Sequence, residues 1–142
     1  MESATLGLVV DSSGLIAAER RKLTPAEVIE DVVKKIGAVP IILSSLTVAE
    51  IGHGIYRANT PEIRERRRAF LDELKATIPI HPITEATAEI IARVGGEQAA
   101  KGINLQFADL IIGACALELG YAIGTGNERD FGRIPDLKVI SL

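Results

Sequence analysis

Tryptophan is absent, and with three Phe and two Tyr the chain offers no obvious platform on which nucleobases stack. Cysteine occurs once, at Cys115, so no intramolecular disulfide can form. That thiol shares a helical stripe with Ala108, Ile111, Ile112 and Leu119, which places it in a core rather than at a reactive surface. Long apolar runs are also lacking: the stretches at 6–10 and 111–117 fall far short of the roughly 20 residues that cross a bilayer. The opening Met-Glu-Ser-Ala-Thr has neither the positive segment nor the small-residue cleavage site of a secretory signal. The expectation is an intracellular, cytoplasmic protein without a membrane span. Strong charge of one sign is missing as well. A net charge of −3 gives no chain-wide basic field, so any recognition of nucleic acid must come from a local site.

What is present is an ordinary globular balance, 47% hydrophobic and 25% charged over 142 residues. Such a chain buries a real core and reads as one domain spanning 1–142. No repeat, linker or low-complexity tract interrupts it.

Residues 6–10 form a continuous apolar run ending at Asp11, as expected of a strand buried on both faces of a parallel sheet. Ser12 or Ser13 offers a cap for a helix over 14–22. Thr24, Pro25 and Glu27 spell a capping box with proline in the first turn, opening a helix that Gly37 stops after Ile36. A second strand is expected at 41–43, then a helix over 46–58 with Val48, Ile51, Ile55 and Ala58 facing the core and Glu50 off that stripe. Thr60-Pro61 opens a helix to about residue 75. Residues 78–80 make a short strand that Pro79 confines to an edge. Thr84 caps a helix over 85–101, a further helix runs from Asn104 to Leu119 with Gly120 as its stop, and strands follow at 121–124 and 137–140. Strands alternating with capped helices predict an α/β sandwich, a central parallel sheet with helices on both faces, whose ligands gather beyond the carboxyl ends of the strands.

Four acids fall at that edge. Asp11 follows the first strand, although an aspartate there also serves as a helix cap. Glu50 sits two turns into its helix with Gly54 at i+4, leaving room beside the carboxylate. Asp109 lies in the first turns of the most apolar helix, with Gly113 at i+4, where the helix dipole also favours an acid. Asp130 lies in the polar segment that follows the strand ending at Gly124. Four carboxylates in one place repel and raise one another's pKa unless cations neutralise them. All-oxygen ligands suit Mg²⁺ or Mn²⁺, whereas His53, His81 and Cys115 have no zinc spacing. A hard cation held by carboxylates activates water and stabilises the charge that develops on a phosphodiester.

These segments resemble a known family. Val-Val-Asp11-Ser-Ser, Thr47-Val48-Ala49-Glu50, Phe107-Ala108-Asp109-Leu110-Ile111-Ile112-Gly113-Ala114 and Thr125-Gly126-Asn127-Glu128-Arg129-Asp130-Phe131 are similar, in order and spacing, to the motifs of PIN domains of the VapC toxin type. The resemblance runs from about residue 6 to 142. It implies a PIN-like three-layer sandwich that cuts RNA with Mg²⁺ or Mn²⁺ and forms the toxin half of a toxin–antitoxin pair. It implies Asp11, Glu50, Asp109 and Asp130 as metal-binding acids, and Thr125 and Asn127 as polar residues bordering the cleft. In the family the last acid shifts within its motif. Asn127 stands where some relatives carry aspartate, which leaves Asp130 either as a direct ligand or as one acting through water, with Glu128 a weaker competitor. The family also implies a homodimer and a VapB-like antitoxin that wraps the toxin and approaches the cleft.

Arg20-Arg21-Lys22, ending the helix that starts beside Asp11, is the basic cluster placed to hold RNA phosphates. The run Arg64-Glu65-Arg66-Arg67-Arg68, set among Glu62, Asp72 and Glu73, reads instead as a solvated helix face. The apolar set Val28, Ile29, Val32 and Val33 reads mostly as core. Two other functions compete. A phosphatase with Asp11 as nucleophile needs a second acid two residues on, where Ser13 stands, and a non-cutting PIN-like scaffold has no need of all four acids.

Overall fold

β1 (Leu8–Val10) is buried along its whole length, as an apolar strand must be when helices cover both faces of a parallel sheet. Successive side chains of a strand point to opposite faces. Leu8 and Val10 accordingly enter one core and Val9 enters another, so the computed structural model, which describes residues 5–142, has three layers. Residues 1–4, part of the stretch read above for a secretory signal, lie outside the described residues.

β1 is the middle strand of five. The order is β3-β2-β1-β4-β5, all parallel, with β2 (Ile41–Ser44) and β4 (Ala122–Thr125) beside β1 and with β3 (Ile80–His81) and β5 (Val139–Ser141) at the edges. The chain moves outward from β1 through β2 to β3, then returns to place β4 on the other side of β1. The crossover direction therefore reverses between β1 and β4, and their loops diverge there to leave a crevice at the carboxyl edge.

One face of the sheet carries α1 (Ser12–Arg20), α2 (Pro25–Ile36), α3 (Ser45–Tyr56) and α4 (Pro61–Thr77), whose Leu15, Val32, Ile55, Phe70 and Leu74 pack with Leu8 and Val10. The other carries α5 (Glu85–Ala100), α6 (Phe107–Leu119) and the short α7 (Glu128–Phe131), with Val94, Ile112, Cys115 and Phe131 against Val9 and Ile123. Cys115 is 1% exposed, and burial, helped by Glu118, pushes its thiol up to about 12. It is a core residue.

The caps explain where helices begin. Thr24 and Glu27 form the reciprocal capping box at α2 with Pro25 in the first turn, Thr60 accepts from the Ile63 N–H at α4, and Thr84 caps α5. Gly120, at φ 70°, ends α6 in the left-handed region that glycine adopts without strain.

Several boundaries differ from the sequence expectation. The first strand starts at Leu8, and Leu6 is exposed. α1 starts at Ser12 rather than residue 14 because Asp11, not a serine, occupies the cap position. α6 starts at Phe107 rather than Asn104, with Gln106 as the extended residue before it. The polar loop expected after β4 contains α7. The edge strand shrinks to Ile80–His81, with Ile78 buried; Pro79, lacking an N–H, joins the sheet only by accepting from the Leu43 N–H at 3.0 Å. In α2, Val32 is buried and Val33 exposed.

Candidate active site

Asp11 follows the central strand and is 4% exposed. It holds the cap position of α1, yet its side chain makes no capping bond. One carboxylate oxygen, Oδ2, instead accepts from Thr125 Oγ1 at 2.9 Å and from Ser13 Oγ at 2.5 Å. The backbone adds a tie, with the Asp11 N–H donating to the Gly124 carbonyl at 2.9 Å. The carboxylate is therefore held across the β1–β4 crevice rather than spent on its own helix.

Thr125, the last residue of β4 and 1% exposed, is the hub of a relay. Its hydroxyl donates to Asp11 and accepts from the Asn127 N–H at 2.8 Å. Asn127 in turn donates through Nδ2 to Asp130 Oδ2 at 2.9 Å. α7 begins at Glu128 and supplies the turn that brings Asp130 back over the strand end. Glu128 itself is exposed and makes no side-chain hydrogen bond or ion pair among the described residues.

Glu50 reaches the same region from α3, where Ser12 Oγ donates to its Oε1 at 2.7 Å. Asp109 comes from the first turn of α6. Its Oδ2 is buried without a hydrogen-bond partner, an expensive state for a carboxylate oxygen. Burial, then the negative charges of Asp11, Asp130 and Glu50, raise its pKa from 3.8 to about 6. The named charges locate the acids. The three others lie close enough to Asp109 to oppose its ionisation, so acids that follow β1, sit on α3 and α6 and lie in the segment after β4 share the carboxyl edge of the sheet.

The chemistry of these acids suits a hard cation on two grounds: every candidate ligand is a carboxylate oxygen, and the orphaned Asp109 oxygen lacks a positive partner. Among the described residues no group of three or more acids, histidines or cysteines is placed to hold a metal ion; one oxygen each of Asp11, Glu50 and Asp130 is held by Ser12, Ser13, Thr125 and Asn127.

Sequence reading did not anticipate the part of Ser12 and Ser13, which it treated as caps; the signal was two hydroxyls directly after a strand-end aspartate. The glycine reading also changes. Gly113 does not make room beside Asp109: a Cβ there would fall 2.6 Å from Ile134 Cδ1, so this glycine admits the segment after α7 onto α6.

The basic residues divide. Arg21 borders a groove of about 740 Å³ that starts at Ser13, Thr125 and Asn127 and runs over the apolar side chains between α1 and α2. Arg20 borders a different groove, of about 430 Å³, that contains Glu50. Lys22 borders neither; it lies in a depression with Arg66 and Glu73.

The run at 64–68 is more than a solvated face. Glu19, 4% exposed on the buried stripe of α1 with Leu15 and Ala18, accepts from Arg66 Nε at 2.8 Å and lies 3.7 Å from Arg67 Nε. Arg67 also donates to the Gly54 carbonyl of α3 at 2.7 Å, and Arg68 donates to the Tyr56 hydroxyl. These arginines tie α4 to α1 and α3 behind the site. An acid at helical spacing within an apolar stripe was the clue to Glu19.

Comparison with known proteins bears on the family and the fold. The PIN domain family model matches residues 8–137. The Ribonuclease VapC of Rickettsia bellii is 30% identical over 137 residues, covering 96% of this chain and 97% of that protein. Among solved structures, VapBC2 from Rickettsia felis bound to a DNA fragment from their promoter superposes with a TM-score of 0.81 at 19% identity, covering 96% of this chain and 98% of that one. DNA-bound VapBC from Salmonella typhimurium gives 0.79 at 20% identity, covering 96% and 98%. At those identities the structural likeness establishes the fold.

Proposed function

The chain belongs to the PIN-domain family, and from that membership and its full-length similarity to a VapC ribonuclease we propose that it is a metal-dependent endoribonuclease of the VapC kind, the toxin of a toxin–antitoxin pair. The observation that carries the proposal is that Asp11, Asp130 and Glu50 lie close enough to act electrostatically on Asp109, whose Oδ2 is buried without a partner. In this reading residues 1–142 act as one domain.

Asp11, Glu50, Asp109 and Asp130 would hold Mg²⁺ or Mn²⁺. When bound, such an ion lowers the pKa of a coordinated water and offsets the charge that builds on a phosphodiester during in-line displacement. The chain's own groups prepare that pocket. Ser13 and Thr125 fix one oxygen of Asp11 and leave the other for a ligand. Ser12 orients Glu50. Asn127 restrains Asp130. Supporting bonds of this kind orient metal-binding groups and keep their lone pairs aimed.

Ser13 stands where the phosphatase reading needs an acid, and its hydroxyl donates to Asp11, which favours the nuclease. The relatives' names support RNA as substrate and a VapB-like antitoxin as partner; the family resemblance adds a second copy of the chain. The groove of about 740 Å³ that leads from Thr125 and Asn127 over an apolar floor, with Arg21 and Lys35 on its rim, suits an extended segment of such an antitoxin. No helix among the described residues is long and apolar enough to cross a membrane; a cytoplasmic site of action is part of the proposal.

The test is cleavage of a mixed RNA pool by the purified protein with Mn²⁺, with Mg²⁺ and with EDTA, beside Asp11→Asn. Cutting that needs the ion and disappears in the variant supports the reading. Turnover of a phosphate monoester without RNA cleavage would replace it with the phosphatase, and RNA binding without cutting in either ion would replace it with the scaffold.

A further inference from the structure

Glu50, Gly54 and Arg57 stand at i, i+4 and i+7 on α3 and its cap, a spacing that keeps them on one helical face. At 1.5 Å per residue Arg57 lies roughly 10 Å beyond Glu50 along the helix axis. Both border the groove of about 430 Å³ that α1 closes from the other side with Glu19 and Arg20, and Gly54 leaves the groove open between them.

The charges along this groove are not evenly matched. Glu19 is already neutralised by Arg66 and by Arg67, which lines the same groove, and Arg67 is further pinned to the Gly54 carbonyl. Arg20 and Arg57 are exposed, and among the described residues neither side chain has an ion-pair or hydrogen-bond partner. The groove thus has an acidic end, at Glu50, and a far end carrying two unmatched guanidinium groups. Guanidinium forks suit phosphate oxygens, which they bind in pairs of parallel hydrogen bonds.

We propose that Arg57, with Arg20, forms a second phosphate-binding subsite for the RNA backbone, one groove-length from the acid cluster; the inference rests on the ribonuclease reading of that cluster. A polymer with one phosphate at the acids must carry further negative charges past Glu50. Those charges are repelled by the acid and accepted by the arginines, so the strand is drawn across the site in one direction. Such contacts position the backbone without reading bases. The subsite therefore sets strand placement and not sequence preference.

The test compares the full chain with Arg57→Ala, the double variant Arg20→Ala/Arg57→Ala, and Arg64→Ala as an exposed arginine outside the groove. Binding of a fluorescein-labelled single-stranded RNA is followed by anisotropy in EDTA over a range of salt concentrations, and cleavage of the same RNA is followed with Mn²⁺. Each lost phosphate contact makes the slope of log affinity against log salt shallower by about 0.7 for a single strand. The expectation is one such step for Arg57→Ala, two for the double variant and none for Arg64→Ala. In cleavage, Arg57→Ala raises KM and leaves kcat unchanged, as loss of uniform binding does. An unaltered slope and KM in Arg57→Ala, against a wild type that cuts RNA, overturns the subsite and leaves the ribonuclease standing. An Arg57-dependent salt slope in a wild type that cuts nothing retains the subsite and removes the nuclease. Weaker binding of polyglutamate with unchanged RNA binding gives the groove to an acidic protein partner and overturns the proposal.

Discussion

Thr125 and Asp11, 114 positions apart in the chain, are joined by a buried 2.9 Å hydrogen bond in which the threonine hydroxyl donates to the carboxylate. The bond crosses from β4 to the end of β1 and sets the direction in which the innermost acid faces the cleft.

Thr125→Val keeps the shape of that residue and removes the donor. The Asp11 oxygen and the Asn127 N–H each lose a partner, at a cost of about 1–3 kcal/mol in stability. RNA cleavage falls by roughly 10- to 100-fold, the usual effect of removing a group that orients a metal ligand. Thr125→Ser retains most of the activity. Chemical denaturation and initial cleavage rates measure the two effects, and equal activity in the valine variant would remove Thr125 from the site.

Asp109 gives a pH dependence with a definite sign. Its folded-state pKa is raised from 3.8 to about 6, so the folded protein binds the proton more tightly than the unfolded chain does. In EDTA that contribution is fully present below about pH 4 and is lost as the pH rises through about 6. Asp109→Asn keeps the neutral state at every pH. Its Tm in EDTA at pH 7.5 should exceed that of the wild type, with the difference shrinking toward pH 4, while its cleavage activity is lost. Thermal melts across that range decide the matter; a variant less stable than wild type at neutral pH contradicts it.

Glu19 is the acid that α4 is built around. Glu19→Ala strips the partner from Arg66 and Arg67 and loosens α1 against α3 and α4. Removing one member of a buried pair costs roughly 3–5 kcal/mol; with Arg66 39% exposed, about 2 kcal/mol is expected here, since water recovers part of that charge. The urea midpoint reports the loss.

Cys115 should be silent to thiol reagents in the native protein. Its burial and raised pKa remove both access and thiolate. Labelling with an aromatic disulfide reports no free thiol until denaturant is added, then one. Prompt native labelling would mean that α6 opens readily.

Much of this architecture is legible from local pattern. The run ending at Asp11, the Thr24–Glu27 capping box and the Gly120 stop mark their elements because each is fixed by neighbours in sequence. α7 was not legible: a four-residue helix of Glu, Arg, Asp and Phe has too little periodicity to register, and it forms because Phe131 is buried against Ile112 and Ile123. The four acids were visible as strand-end and first-turn carboxylates. Their supports were less so, since whether Ser12 caps a helix or holds Glu50 depends on where a residue 38 positions away comes to rest. The partnership of Glu19 with Arg66 and Arg67 was hidden for the same reason.

The pocket draws on both halves of the chain, Asp11 and Glu50 from one and Asp109, Thr125 and Asp130 from the other. A polypeptide halfway through synthesis owns two of the four carboxylates and lacks β4, the strand to which Asp11 is tied. On the reading proposed above, RNA cutting therefore waits on the second half of the chain, and a proteolytic nick that separates the halves disarms both pieces.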